Sequence, residues 1–188
     1  MKAKLESLHD LYLEQLRDLY NAEQQLIDAL PKMAKAASSE DLKAAFEEHF
    51  GKTRQHAQRI ETIFEQMGAK AQGKRCKAMV GLVEEGGEVI KEDMSDDVKD
   101  AALIAAAQRV EHYEIAGYGC VRAYATTLGD NDAANLLGET LEEEKEADQT
   151  LNRLAEEFNQ KLPLDDDQPE KQTARNLKAF HGKTKSAA

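Results

Sequence analysis

The first 160 residues of this 188-residue chain contain almost nothing that would interrupt a helix. The chain has three prolines, Pro31, Pro163 and Pro169, so only one of them precedes residue 160. Alanine, leucine, glutamate, lysine and glutamine dominate the sequence, and all five are good helix formers. No run of alternating β-branched residues indicates a sheet. The sequence therefore predicts an all-α fold and excludes a β-sandwich.

Hydrophobic residues that recur with the period of an α-helix predict four long helices. We expect them over about residues 5–37, 40–67, 95–128 and 132–160. At 1.5 Å per residue, each helix would be roughly 40–50 Å long. Gly68 is placed to end the second helix, as glycine often does at a helix C-terminus.

The connections between the predicted helices differ in length. The first two helices are joined by a short turn, and so are the last two, which makes each pair an antiparallel hairpin. The central connection, residues 73–94, is long and contains four glycines and small apolar clusters, and we expect one or two short helices there. Two hairpins joined by one long crossover form a ferritin-like four-helix bundle. We expect residues 1–162 to be this bundle domain.

The residues after the bundle have a different character. Asp165, Asp166 and Asp167 are followed by a basic C-terminal end. We interpret residues 163–188 as a charged, solvated and mobile tail. The alternatives are a short amphipathic helix through Leu177 that docks on the bundle, or a segment that binds nucleic acid or an acidic lipid surface.

Hydropathy, charge and cysteine use restrict the class of protein. No apolar stretch approaches the ~20 residues that cross a bilayer, and the start lacks the apolar run of a signal peptide. A formal charge of −11 argues against nucleic-acid binding by the folded domain. Cys76 and Cys120 lie far apart, without the spacing of a metal site, and are expected to be free thiols. These features predict a cytoplasmic protein that associates with neither membranes nor nucleic acid.

Each predicted helix carries polar residues at the middle of an otherwise apolar face. In chain order these residues are Glu23, then His49 and His56, then Glu111 and Glu114, then Glu144 and Asp148. Antiparallel helices of similar length bring their midpoints to one level, so these side chains should meet. Buried carboxylates at one level repel each other unless a cation lies between them. Carboxylate and imidazole ligands suit iron, manganese or zinc, which predicts a site for one or two metal ions.

The pattern matches the ferritin-like di-metal carboxylate proteins in part. Those proteins supply one glutamate from each of two helices and Glu-x-x-His from each of the other two. Here Thr53 stands where the second helix should have its glutamate, and Ala147 where the fourth should have its histidine. We therefore expect weaker binding than in a complete site. The expected ligands are Glu23, His56, Glu111 and Glu144, with His49, Glu114 and Asp148 in reserve.

The alternative to a metal site is a metal-free network of protonated carboxylates and histidines, in a structural or interaction protein. Tyr118 is interpreted as core packing, with a hydrogen bond to the cluster as the alternative. In the acidic run from Glu142 to Glu144, only Glu144 is expected to point inward, and Glu143 is assigned to a solvated face. His112 lies one position off the apolar face and is interpreted as structural.

Several segments resemble the YciE/YciF family of bacterial ferritin-like stress proteins. They are residues 19–26 (LYNAEQQL), 108–115 (QRVEHYEI) and 141–145 (LEEEK), with Cys76 and its neighbours in the crossover. The resemblance covers roughly residues 5–160. It implies a ferritin-like fold, a homodimer, a cytoplasmic location and an association with stress responses, but it supplies no reaction. The family usually has a glutamate just before the position of Thr53, where this chain has Lys52.

Three classes of function are therefore open. The first is a non-haem metalloprotein that reacts with oxygen or peroxide. The second is a metal store, which would need a cage that a dimer cannot form. The third is a structural or interaction protein with a vestigial site. Small residues such as Ala102, Ala105 and Ala106 could let a partner subunit approach closely.

Overall fold

The computed structural model describes residues 5–72, 74–160 and 162–163, and every regular element in these ranges is a helix. The helices are α1 (Leu8–Ala36), α2 (Glu40–Gln66), α3 (Lys77–Lys91), α4 (Asp96–Leu128) and α5 (Asn131–Asn159). The prediction of an all-α four-helix bundle with a helical crossover is confirmed, and the crossover contains one helix, α3. The predicted C-terminal tail lies outside the described residues from residue 164 onward.

Local hydrogen bonds set where the long helices begin and end. Ser7 caps α1: its Oγ accepts from the amide of Asp10 at 3.1 Å, and the Asp10 carboxylate accepts from the amide of Ser7 at 3.1 Å. This reciprocal pair starts α1 three residues later than the sequence pattern predicts. At the other hairpin, Gly129 ends α4 with a φ of 79°, which favours glycine, and Asp130 caps α5 through the amide of Ala133.

The four long helices pack as two hairpins, and α3 covers one flank. α1 pairs with α2, and α4 pairs with α5, while α1 also packs on α4 and α2 on α5. α3 lies against α1 and α4. The segment before α3 is held to α1, because the Asn21 side chain accepts from the amide of Cys76 at 2.8 Å. None of the described helices is both long and apolar enough to cross a membrane.

The apolar core consists of two separate clusters. The first, here called the crossover half, lies next to α3 and includes Leu30, Met33, Phe46, Met79 and Ala107. The second, here called the distal half, lies away from α3 and includes Tyr12, Leu16, Phe64, Tyr118 and Leu137. Both cysteines are free thiols as predicted, with Cys76 buried in the crossover half and Cys120 exposed.

Candidate metal centre

A layer of charged and polar side chains lies between the two halves of the core. Four glutamates and two histidines form it, and none is more than 7% exposed. They are Glu23 of α1, His49 and His56 of α2, Glu111 and Glu114 of α4, and Glu144 of α5. The structure thus brings together six of the seven residues that the sequence singles out. All four long helices contribute because each carries its polar residues at mid-length.

The first group of possible ligands contains Glu23, His56 and Glu144. One donor atom from each of these residues lies within 4.8 Å of the others. His56 Nδ1 is 2.9 Å from Glu144 Oε1 and 3.7 Å from Glu23 Oε1. The three side chains come from α1, α2 and α5, so the bundle itself fixes their separation.

The second group contains His49, Glu111, Glu114 and Glu144, again with donor atoms within 4.8 Å of one another. His49 Nε2 is 3.4 Å from Glu111 Oε1 and 3.7 Å from Glu144 Oε2. Glu144 belongs to both groups, and its two oxygens face different histidines: Oε1 faces His56 and Oε2 faces His49. A carboxylate in this position could bridge two metal ions.

Most of the buried oxygen and nitrogen atoms in this layer that could bind a metal have no hydrogen-bond partner among the described residues. The buried atoms in question are Glu23 Oε2, Glu111 Oε2, both carboxylate oxygens of Glu114 and Glu144, both ring nitrogens of His49, and His56 Nδ1. The 2.9 Å contact of His56 Nδ1 with Glu144 therefore has the distance of an ion pair without hydrogen-bond geometry. Buried polar atoms normally have hydrogen-bond partners. A cluster of unpartnered carboxylate oxygens and imidazole nitrogens, all of them potential metal ligands, fits a metal site.

The electrostatics of the layer also favour a cation. Burial raises the pKa of Glu23 to about 8, and burial together with neighbouring carboxylates raises the pKa values of Glu111 and Glu114 well above their usual range. Burial also acts on Glu144, but contacts with both histidines outweigh it and lower the pKa of that carboxyl. Negative charge is thus costly at three of the four glutamates, and a metal ion would remove that cost.

His56 is oriented by a second carboxylate behind it. Its Nε2 lies 2.8 Å from Glu143 Oε2, and the Arg59 guanidinium donates to Glu143 Oε1 at 3.0 Å. The hydrogen bond from Arg59 lowers the pKa of Glu143 to about 2, so this carboxylate is a permanent acceptor. Burial lowers the pKa of His56, but the contacts with Glu144, Glu23 and Glu143 outweigh it and raise that pKa above its usual value in the metal-free protein. With a metal bound, a neutral imidazole that donates from Nε2 to Glu143 would leave the lone pair of Nδ1 for the ion, as in many metal-bound histidines.

Three of these contacts differ from the sequence-based interpretation. Assigning Glu143 to the solvated face was wrong, because it is partly buried and holds His56. The sequence reasoning also missed Arg59, although it lies one helical turn after His56, a spacing that could have indicated it. For Tyr118, the hydrogen-bonding alternative is the one observed: its hydroxyl donates to Glu23 Oε1 from within the distal half.

Two further polar residues on the same helices lie outside both ligand groups. Asp148 Oδ1 is 3.3 Å from Nε2 of His112, a side chain that is 71% exposed. Thr53, which replaces the expected glutamate, is buried and donates its hydroxyl to the carbonyl of His49 at 3.0 Å. Thr53 therefore hydrogen-bonds to the backbone of its own helix. His49, one turn earlier on α2, belongs to the second ligand group.

Comparison with known proteins identifies relatives that span nearly the whole described chain. Residues 7–162 match the family model described as a domain of unknown function, DUF892. The chain is 47% identical over 152 residues to the YciF protein of Escherichia coli, an alignment that covers 80% of this chain and 92% of that protein.

Solved structures give the same result. The crystal structure of the E. coli stress protein YciF matches with a TM-score of 0.81 and 45% identity, covering 84% of this chain and 100% of that chain. A Rhodopseudomonas palustris protein, described as having a proposed structural role, matches with a TM-score of 0.78 and 41% identity over 81% and 97%. A ferritin-like diiron-carboxylate protein from Bacillus anthracis, at 16% identity and a TM-score of 0.63 over 80% and 99%, shows the shared fold alone. The chain therefore belongs to the DUF892 family, the family of E. coli YciF.

Proposed function

We propose that this protein is a ferritin-like metalloprotein that binds two divalent ions, iron or manganese, and reacts with oxygen or peroxide as part of a stress response. The observation that carries the proposal is the position of Glu144. Its two carboxylate oxygens face two separate sets of buried donor atoms, one containing His56 and the other His49. A carboxylate shared in this way is what a two-ion centre requires.

The charge and chemistry of the layer support two ions of this kind. Four glutamates carry a charge of −4 when ionised, and two divalent ions carry +4, so the loaded layer is neutral with both histidines uncharged. Oxygen donors with a minority of imidazole nitrogens suit iron and manganese, while zinc is accepted by similar ligands. Neither ligand group contains a cysteine, which argues against an iron–sulfur cluster.

When bound, iron or manganese would supply the electron-transfer chemistry that these side chains lack. The contribution of the chain is to bind, orient and shield. Glu144 would bridge, and Glu143 with Arg59 fixes the ring of His56. The Tyr118 hydroxyl holds the Glu23 carboxylate through a hydrogen bond. The distal half of the core excludes bulk water from one side of the layer.

A small cleft between α2 and α5 offers a route for ions and small oxidants. It has a volume of about 430 Å³, its open mouth included, and His49 and Glu111 are among the residues that line it. Lys52, which replaces the glutamate usual in this family, lies at this cleft and pairs with Glu48 and Glu146 at 3.5 Å. We propose that Lys52 is a surface residue of the cleft and that the metal ligands do not include it.

Metal analysis of the protein purified without chelators tests the proposal. We expect about two equivalents of iron or manganese per chain, and titration of the metal-free protein should reach the same value. Glu144→Ala should lose both ions, because it removes the shared ligand. Glu142→Ala is the matched control: it lies two residues away on α5, is exposed, and contacts Lys145. A wild-type protein that binds none of these metals at neutral pH would contradict the proposal.

The second candidate is a structural protein whose layer is a metal-free network. The description of the R. palustris relative and the raised pKa values of three buried glutamates favour it. In that case the double variant Glu23→Ala, Glu111→Ala should be more thermostable than the wild type in the presence of metal. If the protein is a metalloprotein, the wild type should instead be more thermostable than the double variant in the presence of metal, because bound metal stabilises the folded state.

We further propose that the protein is a cytoplasmic homodimer. Of the small residues on α4 that could form a close interface, Ala105 is exposed, whereas Ala106 is buried inside the protomer. Light scattering should give twice the chain mass of 20.9 kDa. A monomer, or a cage of many subunits, would contradict this assembly.

A further inference from the structure

An apolar pocket extends from the surface to the candidate metal centre. It lies between α1, α3 and α4 and has a volume of about 1580 Å³, its open mouth included. Its walls are apolar and include Leu30, Met33 and Ile90, while His49 and Glu111 of the second ligand group lie at its inner end. The pocket and the small cleft between α2 and α5 share Phe46, His49 and Glu111, but the other residues that line them differ.

Small residues create this space. Gly86 and Gly87 of α3 line the pocket together with Ala106 and Ala107 of α4. A Cβ atom built on Gly87 would meet nothing within 4 Å, and one built on Gly86 would meet only the sulfur of Met33, at 3.7 Å. Both glycines lie within a helix, where glycine is unfavourable and backbone geometry does not require it. The glycines are therefore costly to α3, and what they provide is room.

The charged residues that line the pocket are mainly basic. Its lining contains four lysines and a single acidic residue, the deeply placed Glu111. The lysines are Lys32, Lys35, Lys91 and Lys99. This contrasts with the whole chain, in which 36 acidic residues outnumber 25 basic ones. Lys32, Lys35 and Lys91 form no ion pair with any carboxylate in the described part of the chain, so their charge is available to a ligand.

The lysines are distant from the metal centre along the helices. Lys99 precedes Glu111 by twelve residues on α4, which corresponds to about 18 Å. A ligand that contacts both ends must therefore be long, apolar along its length and anionic at its outer end. We propose that the pocket binds a straight-chain amphipathic carboxylate, with its head group at the lysines and its tail extending toward His49 and Glu111.

This ligand would be the substrate of the metal centre, an identification that rests on the function proposed above. Binding of the carboxylate does not require the metal, so the two proposals can fail separately. Binding of dodecanoate without metal uptake would refute the metal centre, and with it the role of the ligand as substrate, but would leave the pocket assignment intact. Metal uptake without dodecanoate binding would refute the pocket assignment alone.

Calorimetric titration of the full-length, metal-free protein with monomeric dodecanoate tests the assignment. We expect about one equivalent to bind, and dodecyltrimethylammonium to bind at least about tenfold more weakly, because its head group is repelled by the lysines. Lys91→Gln combined with Lys99→Gln should weaken dodecanoate binding severalfold and leave dodecanol binding unchanged. Lys77→Gln is the control on α3, since Lys77 is exposed and does not line the pocket.

A second pair of variants tests the location of the site. Gly87→Leu should fill the pocket and weaken dodecanoate binding by about tenfold or more. Gly81→Leu is the matched control: Gly81 lies on the same helix, its Cβ would also meet nothing within 4 Å, and it does not line the pocket. Equal affinity of both variants, no binding by the wild type, or equal binding of the cationic detergent would overturn the proposal. So would a dimer that Gly87→Leu dissociates, because the pocket would then be a subunit interface.

Discussion

The distal and crossover halves of the core are built on the same four helices but are packed differently. In the distal half, α4 lies so close to α1 that a Cβ atom on Gly117 would be 2.7 Å from Leu19 Cδ2. In the crossover half, a Cβ atom on Gly87 would meet nothing within 4 Å. Glycine thus permits close approach in one half and leaves space in the other.

The difference gives the two sides of the polar layer different properties. The distal half is filled by large rigid side chains, among them Tyr118, which holds Glu23. The crossover half contains the apolar pocket that reaches His49 and Glu111. Dense packing keeps side chains in fixed positions, whereas unfilled space forfeits contacts and stability. On the function proposed here, one side of the layer would fix the ligands and the other side would admit molecules to them.

The largest expected effect compares two phenylalanines of α2. Phe64 in the distal half and Phe46 in the crossover half are 0% and 2% exposed. Phe64→Ala should lower the free energy of unfolding by about 3–5 kcal/mol, as for a well-packed aromatic residue. Phe46→Ala should cost at least about 1 kcal/mol less, because Phe46 already borders the pocket. Urea unfolding measures both, and equal losses would show that the halves are equally packed.

The next effect concerns the layer that separates the halves. The pKa of Glu23 is raised to about 8 from an ordinary value of 4.5, so the metal-free folded state binds more protons than the unfolded state between these pH values. Stability should therefore fall as pH rises across this window, by up to about 1.4 kcal/mol per pH unit for one such group. Unfolding of metal-free protein at pH 5 to 9 measures the slope, and Glu23→Gln should reduce it. An unchanged slope in Glu23→Gln would contradict the assignment, and Glu142→Gln serves as the exposed control.

A smaller effect is expected at the glycines themselves. Gly117→Ala should destabilise the protein by about 1 kcal/mol, because overpacking against Leu19 outweighs the gain in helix propensity. Gly87→Ala and Gly119→Ala should each stabilise by about 0.5–1 kcal/mol, since neither new methyl group meets an obstacle. Thermal unfolding of the three variants separates these outcomes. Stabilisation by Gly117→Ala would show that Leu19 moves aside at no cost.

The smallest effect compares the helix caps at the two ends of the bundle. Ser7 begins α1 with a reciprocal capping box, whereas Ser39 begins α2 with a single long contact, 3.5 Å from its Oγ to the amide of Leu42. Ser7→Ala should cost about 1 kcal/mol and Ser39→Ala only about 0.5 kcal/mol. Chemical denaturation measures both variants. Equal costs would show that the shorter cap contact of Ser7 and the bond of 2.8 Å that its hydroxyl donates to the Asp10 carboxylate add nothing to the first cap.

The amino-acid sequence was sufficient to predict the helices and the existence of the polar layer. Both follow from periodicity along the chain: apolar residues repeat every 3.6 positions, and each face is interrupted at mid-length by Glu23, His56, Glu111 or Glu144. Errors at the helix ends were small. The start of α1 was misplaced because the apolar pattern already begins at Leu5, whereas the capping box of Ser7 and Asp10 starts the helix at Leu8.

The partners within the layer were decided by the tertiary structure, because they depend on how each helix is rotated about its axis. Glu143 and Glu144 are adjacent in sequence, yet Glu143 supports His56 from behind while Glu144 faces both ligand groups. The apolar pocket is also a product of packing, since Gly87 and Ala107 appear in the sequence only as small residues on two separate helices. Periodicity specifies which face of a helix is buried. The distance between two buried faces is set by the side chains of all the helices that meet there, so only the assembled bundle shows where space is left.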